Sequence, residues 1–469
     1  MPSFTFPPTS TDERQQLIDA GLRLAFGPFG RSNTLANAAE AAEVSLTVAH
    51  SLFPSADEFT VALQDQIRAV FDAHVQPALA AVPDPAEFGA TIRAIAEGFL
   101  SFATSSPDLF SAYFALFNAS EPPESVDCDL RTLNPDPCFE LLLEAVRRDM
   151  KTHGLISDSP EWVQAWFSYA LTIHSGIIGM LHLCTFGVTR HLNGSARTQL
   201  MRAVVSHVVT STEPGRHHGT YLDIAPNEFL DPISAVIPIP LASQLISDTP
   251  EDRFATIIRG AIEYIGKEWV EEVNLEQALS RTHVSRSDAV QVLDPAKPLI
   301  RQIEESLDVA TAQLMQASMS LMPQPSHPVN LTKAAGFTYV DVAMKDPLAF
   351  DVHIWVSSRS IVPSSFDKED ENFEMGASFS MLQDLVRASI ATGGGPRASW
   401  PLFEQTMNLW MVAHGLAKNC ANGPLSALSV DKRREIAGPV ISSAIAGMIT
   451  QLELEFPGIS DNWRSVVKQ

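Results

Sequence analysis

Two stretches of this sequence match each other at a spacing of about 240 residues, and a chain that repeats itself over such a length is expected to build one fold twice. Asp12–Leu24 reads DERQQLIDAGLRL and Glu251–Glu263 reads EDRFATIIRGAIE, so Ile18 matches Ile257 and Gly21 matches Gly260 at 239. After one inserted residue the spacing is 240. Leu35 then matches Leu275, Ala38 matches Ala278, and Val44-Ser45 matches Val284-Ser285. Further on, Pro107–Phe110 faces Pro347–Phe350, and Gly176 faces Gly415 at 239.

Each copy reads as helix throughout. Leu17/Ile18, Gly21/Leu22 and Ala25/Phe26 recur at helical spacing, as do Ile257/Ile258, Ala261/Ile262 and Ile265. Glu161–Phe186 and Asp431–Leu454 are long periodic runs broken only by Pro439. Prolines cluster at Pro77–Pro85, Pro122–Pro137 and Pro323–Pro328, where loops or helix starts are expected. No strand-turn-strand pattern is sustained. At 469 residues the chain exceeds a single core and divides into at least two domains. Ser211–Pro250, with six prolines and the extended VIPIPL, reads as a linker between the copies.

Thr34–Phe59, TLANAAEAAEVSLTVAHSLFPSADEF, has the order of a helix-turn-helix. A capping Thr34 opens a short Ala-rich helix, Val44 plugs a turn, Ser45 caps a second helix over Leu46–Phe53, and Pro54-Ser55 starts a third. Asn274–Leu299, NLEQALSRTHVSRSDAVQVLDPAKPL, repeats the order, with Ser285 capping Arg286–Leu293. Further along, Trp410-Met-Val-Ala-His414-Gly415 stands where the first copy has Leu171-Thr-Ile-His-Ser-Gly176. In these features the chain resembles two TetR-type (tetracycline-repressor family) subunits fused in tandem. The resemblance covers most of residues 11–210 and 251–457.

That resemblance implies an all-α fold of two tandem units arranged as a pseudo-dimer, each a three-helix helix-turn-helix domain followed by a helical ligand and dimerisation bundle. The domains would span 11–75 and 76–210, then, after a linker at 211–250, 251–308 and 309–457. It implies a cytoplasmic transcriptional regulator, a monomer in solution because one chain supplies both halves of the dimer's four-helix bundle. Double-stranded DNA would meet Thr34, Ser45, Thr47, His50 and Ser51 in the first copy, and Arg281, Ser285, Arg286, Ser287, Gln291 and Lys297 in the second. A small apolar effector would sit in a bundle, lined from Phe110, Phe114, Trp166 and His174 or from Trp355, Phe403, Trp410 and His414. Core packing accounts for most of these aromatics, including Phe110, Tyr113, Phe114 and Phe117 at i, i+3, i+4 and i+7. No cofactor is implied.

Charge favours a second reading. Lys and Arg number 32 against 55 Asp and Glu, a net −23, which argues against broad nucleic-acid binding. Residues 11–75 and 251–310 each carry −5. The first recognition helix has no Lys or Arg, and the second has Arg286 beside Asp288. The family's turn glycine is replaced by Glu43 and His283, its tyrosine by His50 and Val290, and the lysine that opens its next helix by Ala56 and Ala296. The alternative is therefore a degenerate TetR-fold module that binds a ligand or a protein and no longer binds DNA.

Other chemistries have little to stand on. Cys128, Cys138, Cys184 and Cys420 are too few for a disulfide framework and include no CxxC pair, which suits a reducing compartment. His174 and His182 lie two helical turns apart, too far to share a metal, and read as packed bundle histidines. Thr392–Pro396, TGGGP, follows a helix and lacks any phosphate-loop pattern. No GxSxG, HExxH or paired nucleophile and base is present, so no catalytic residue and no enzyme is expected. The first residues show no charged segment followed by an apolar run, so no secretory signal is expected. Tyr169–Val188 is the most membrane-like stretch, but His174, Ser175 and His182 within it favour a buried bundle helix over a membrane span.

Overall fold

The protein is described by a computed structural model covering residues 12–25, 34–117, 136–154, 160–190, 192–212, 249–268, 270, 272–322, 328–357, 376–393 and 399–456. Cys128, nearly all of the expected linker and Gly394–Pro396 lie outside the described residues. Among those described, the fold is all-α, with eighteen α-helices and no strand.

The first nine are α1 (Glu13–Leu24), α2 (Leu35–Ala41), α3 (Leu46–Leu52), α4 (Ala56–Ala80), α5 (Phe88–Ser105), α6 (Pro107–Phe117), α7 (Pro137–Thr152), α8 (Pro160–Thr185) and α9 (Gly194–Thr212). The next nine are α10 (Pro250–Glu268), α11 (Leu275–Leu279), α12 (Arg286–Val292), α13 (Leu299–Ser320), α14 (Pro328–Lys345), α15 (Pro347–Ser357), α16 (Ala377–Thr392), α17 (Ser399–Ala421) and α18 (Val430–Glu455). Helices α5 and α14 have 18 residues each, α6 and α15 have 11, and α7 and α16 have 16. Each of these pairs starts 240 positions apart, the spacing of the sequence matches. Pro77 falls within the last turn of α4 rather than in a loop.

Local chemistry sets the short helices. Thr34 accepts from Asn37 N at 3.2 Å, and Ser45 from Val48 N at 3.3 Å. Asn274 and Gln277 form a reciprocal capping box with bonds of 2.9 and 2.8 Å, and Ser285 accepts from Asp288 N at 3.2 Å. Each cap satisfies an amide that the helix itself leaves open. Ala38, Ala49, Ala278 and Ala289 are all fully buried, because only a methyl group fits between helices this short and this close.

The helices group into two compact units, residues 1–149 with 422–428 and residues 150–421 with 429–469. In the first, Phe71, Phe99, Phe102, Phe110 and Tyr113 interlock at centroid separations of 5.1 to 6.5 Å. The Tyr113 hydroxyl donates to Asp136 Oδ1 at 2.5 Å, which ties α6 to the start of α7. In the second unit, helices from far apart in the chain build one bundle of α8, α9, α17 and α18. Gly179 of α8 and Gly415 of α17 face each other there. A methyl group on Gly179 would overlap the carbonyl oxygen of Met411 and lie 2.8 Å from Gly415 N, and one on Gly415 would overlap the carbonyl of Ser175 and lie 2.8 Å from Gly179 N. These reciprocal contacts relate positions 236 apart. The residue opposite Gly415 is thus Gly179 rather than Gly176, which instead packs on Val204 and Val208 of α9. Helices α8 and α18 are long and apolar enough to cross a membrane, and 94% and 78% of those stretches are buried within the protein.

Candidate functional site

Helices α3 and α12 each follow a short capped helix and a tight turn, at the positions where the sequence suggests a recognition helix. In the first unit Thr34, Ser45, Thr47, His50 and Ser51 are exposed on the outer face of α2 and α3, while Ala49 and Phe53 close the core beneath. The turn before α3 passes through Glu43 at φ 56°, a left-handed conformation that favours glycine. In the second unit Arg281, Ser285, Arg286, Ser287, Gln291 and Lys297 are exposed, and Ala289 is buried. His283, at the matching turn position, is not left-handed, so the two turns differ in backbone as well as in side chain.

Each cation on that second surface faces a carboxylate. Arg286 meets Glu276 at 2.6 Å, Lys297 meets Glu305 at 2.7 Å, and Arg281 lies 3.8 Å from Glu268. Arg253 of α10 reaches Asp288 in the middle of α12 at 3.4 Å. Glu305 raises the proton affinity of Lys297 through their hydrogen bond. Such exposed pairs are weak because water and salt screen them, so they lower the surface potential without locking it.

The residues expected around an effector divide between the two units. Phe110 and Phe114 belong to the aromatic core of the first. In the second, Trp166 is half-buried and His174 is buried near Asn419 Nδ2, at 3.2 Å. Trp355 packs against the apolar core shared by α10, α11, α12, α13 and α15, its Nε1 donating to Val270 O at 3.3 Å. Phe403 packs 6.4 Å from Phe379. Of the eight, Trp410 lines a cavity of about 30 Å3 among α13, α14, α16, α17 and α18, walled by Met315, Tyr339, Phe379, Leu382, Ile441 and Ile445. That volume admits little more than a water molecule unless side chains move.

His414 stands behind the cavity wall in a chain of buried polar groups. Trp410 Nε1, which can only donate, reaches the Tyr339 hydroxyl at 3.2 Å. Of Tyr339's two partners, only His414 Nδ1, at 3.0 Å, can accept the phenolic proton. His414 therefore carries its own proton on Nε2 and donates it to Nδ1 of His182 on α8, at 3.0 Å. Beside this chain, fully buried Lys418 bonds Asp351 of α15 at 2.6 Å. Burial, then the Lys418 charge, holds His182 and His414 well below the usual histidine range, which keeps the chain neutral. Burial likewise raises the Tyr339 phenol.

The sequence alone puts His414 at a pocket and His182 in packing. It misses Tyr339, Asp351 and Lys418, which lie on three different helices and carry no local motif. Among the described residues no three His, Cys, Asp or Glu side chains gather to hold a metal. No protein-family model matches the chain, and no curated protein matches it in sequence.

Proposed function

We propose that the chain is a TetR-like transcriptional regulator in which two subunits are fused into one pseudo-dimeric polypeptide, controlled by a small, largely apolar effector. The observation behind this reading is the pair of short capped helices, α3 and α12. Each rests on one fully buried alanine and turns polar side chains outward: Thr47, His50 and Ser51 in one, Arg286, Ser287 and Gln291 in the other. A core needs none of these side chains, whereas a helix entering a major groove does. Because the two faces differ, the operator would be asymmetric, not a palindrome. The recurrence of helix lengths at a spacing of 240 supports the fusion. The α8, α9, α17 and α18 bundle supports a monomeric chain, whose mass in solution would be 51.1 kDa.

The test is selection of bound duplexes from a random pool at low salt. A single enriched, non-palindromic site supports the regulator, and its binding should weaken more on Arg286→Ala than on the combined Thr47→Ala/His50→Ala change. The neutralisation of Arg281, Arg286 and Lys297 by carboxylates favours a second reading, a TetR-fold ligand or protein-binding module without DNA affinity. Absence of any enriched site at low salt selects that one.

A further inference from the structure

We infer that the cavity among α13, α14, α16, α17 and α18 takes a small, neutral ligand with an apolar body and a hydrogen-bond donor, such as a phenol or an alcohol. The inference gives a chemical class to the effector site and rests on that reading only for its regulatory meaning. Among the described residues no side chain in the wall is charged, so a charged ligand would leave water with no counter-charge to meet it.

The polar side chains of the wall have their protons already committed within the protein. Three hydroxyls and one indole line it: Thr332, Tyr339, Ser378 and Trp410. The Thr332 proton goes to Pro328 O at 2.9 Å, and the Ser378 proton to Asp308 Oδ1 at 2.5 Å. The Tyr339 proton goes to His414 Nδ1 at 3.0 Å, and the Trp410 N–H to Tyr339 itself at 3.2 Å. Every donor is thus engaged by a protein acceptor, while the oxygens of Thr332, Ser378 and Tyr339 keep lone pairs. A ligand that brings its own O–H or N–H finds partners without disturbing the wall. A ligand that can only accept must break one of these bonds or remain unbonded. The dimensions restrict the body: a ring enters only if flexible side chains such as Met315 and Leu382 yield, and methionine is suited to that.

The experiment is calorimetric titration of the full chain, without DNA, with phenol and with benzonitrile, two rings of similar size and hydrophobicity. Phenol donates and benzonitrile only accepts. Phenol should bind saturably and about tenfold more tightly. Thr332→Val removes one acceptor without touching the Tyr339–His414 chain and should shrink that ratio severalfold, and Tyr339→Phe should shrink it too. Equal or tighter binding of benzonitrile, or no saturable binding of phenol, overturns the inference. Since no DNA is present, failure here leaves the duplex selection to decide the regulator reading, and the converse holds.

Discussion

Nε2 of His414 lies 3.0 Å from Nδ1 of His182, joining positions 232 residues apart through a hydrogen bond that requires Nδ1 of His182 to be unprotonated. Protonation of His182 places a proton on both facing nitrogens, where two donors repel, and protonation of His414 places one on its Nδ1, which can then no longer accept from Tyr339. The pair, with His207 held down to about 4 by burial, makes the bundle sensitive to acid.

The sign follows from linkage. Unfolded, each histidine protonates near 6.5, whereas folded it resists. Below about pH 6.5 the unfolded chain therefore binds more protons, and stability is lost as pH falls, by about 1.4 kcal/mol per pH unit for each such histidine. For His207 this loss continues down to about pH 4. Thermal melts between pH 7 and 5 should show a falling Tm, and His207→Gln should flatten the slope by about one proton. A stability that does not change across this range contradicts the burial described here.

Gly179 and Gly415 should not tolerate a methyl group. Gly179→Ala or Gly415→Ala forces a backbone carbonyl aside, and each is expected to destabilise by about 3 kcal/mol, the upper end of overpacking. Gly194, which has open space around its Cβ position, is the control, and Gly194→Ala should lie within about 0.5 kcal/mol of the parent. Urea unfolding of the three variants measures the difference.

Lys418 and Asp351 form an ion pair with side-chain exposures of 3% and 1%. Lys418→Met leaves a buried carboxylate without its cation and is expected to cost about 3–5 kcal/mol, while the double change Lys418→Met/Asp351→Leu should recover most of it. A double-mutant cycle on denaturant midpoints provides the number. If the double variant is as unstable as the single, the pair is not the source of the loss.

Glu43 sits at φ 56°. Glu43→Gly relieves a left-handed strain of about 1–2 kcal/mol, offset by the glycine's greater freedom when unfolded, for a net gain near 1 kcal/mol. An increase in Tm of a few degrees is expected, and a decrease would mean that the Glu43 side chain contributes contacts outweighing the strain.

On the proposed regulator reading, removing the acids beside α12 tests whether charge limits DNA binding. A combined Glu268→Gln, Glu276→Gln and Glu305→Gln variant frees Arg281, Arg286 and Lys297. Affinity for duplex DNA should rise severalfold at low salt, and the slope of log affinity on log salt should steepen by roughly one to three. Fluorescence anisotropy across salt reads both. An unchanged affinity would show that these side chains do not face the duplex.

The short helices were legible because their determinants are local. Thr34, Ser45, Asn274 and Ser285 cap helices that begin at the next residue, and Ala38, Ala49, Ala278 and Ala289 mark the tight contacts. What joins distant helices was not legible. Gly176 and Gly415 match as letters, but the crossing pairs Gly179 with Gly415, since packing one turn further along leaves the local sequence pattern unchanged. Tyr339 lies 75 residues from His414, and Asp351 lies 67 from Lys418, and no periodicity connects them. Glu276 approaches Arg286 from ten residues earlier, on a different helix, so the charge count shows the excess of acids but not which cations they occupy.

The crossing at Gly179 and Gly415 also bears on how this bundle can change over time. In an assembly of identical chains, one codon specifies both sides of such a contact, so any replacement must be tolerated twice. Here the two sides are written separately. Position 418 holds lysine where the position set across the crossing by the same spacing of 236, position 182, holds histidine, and each can drift without dragging the other along.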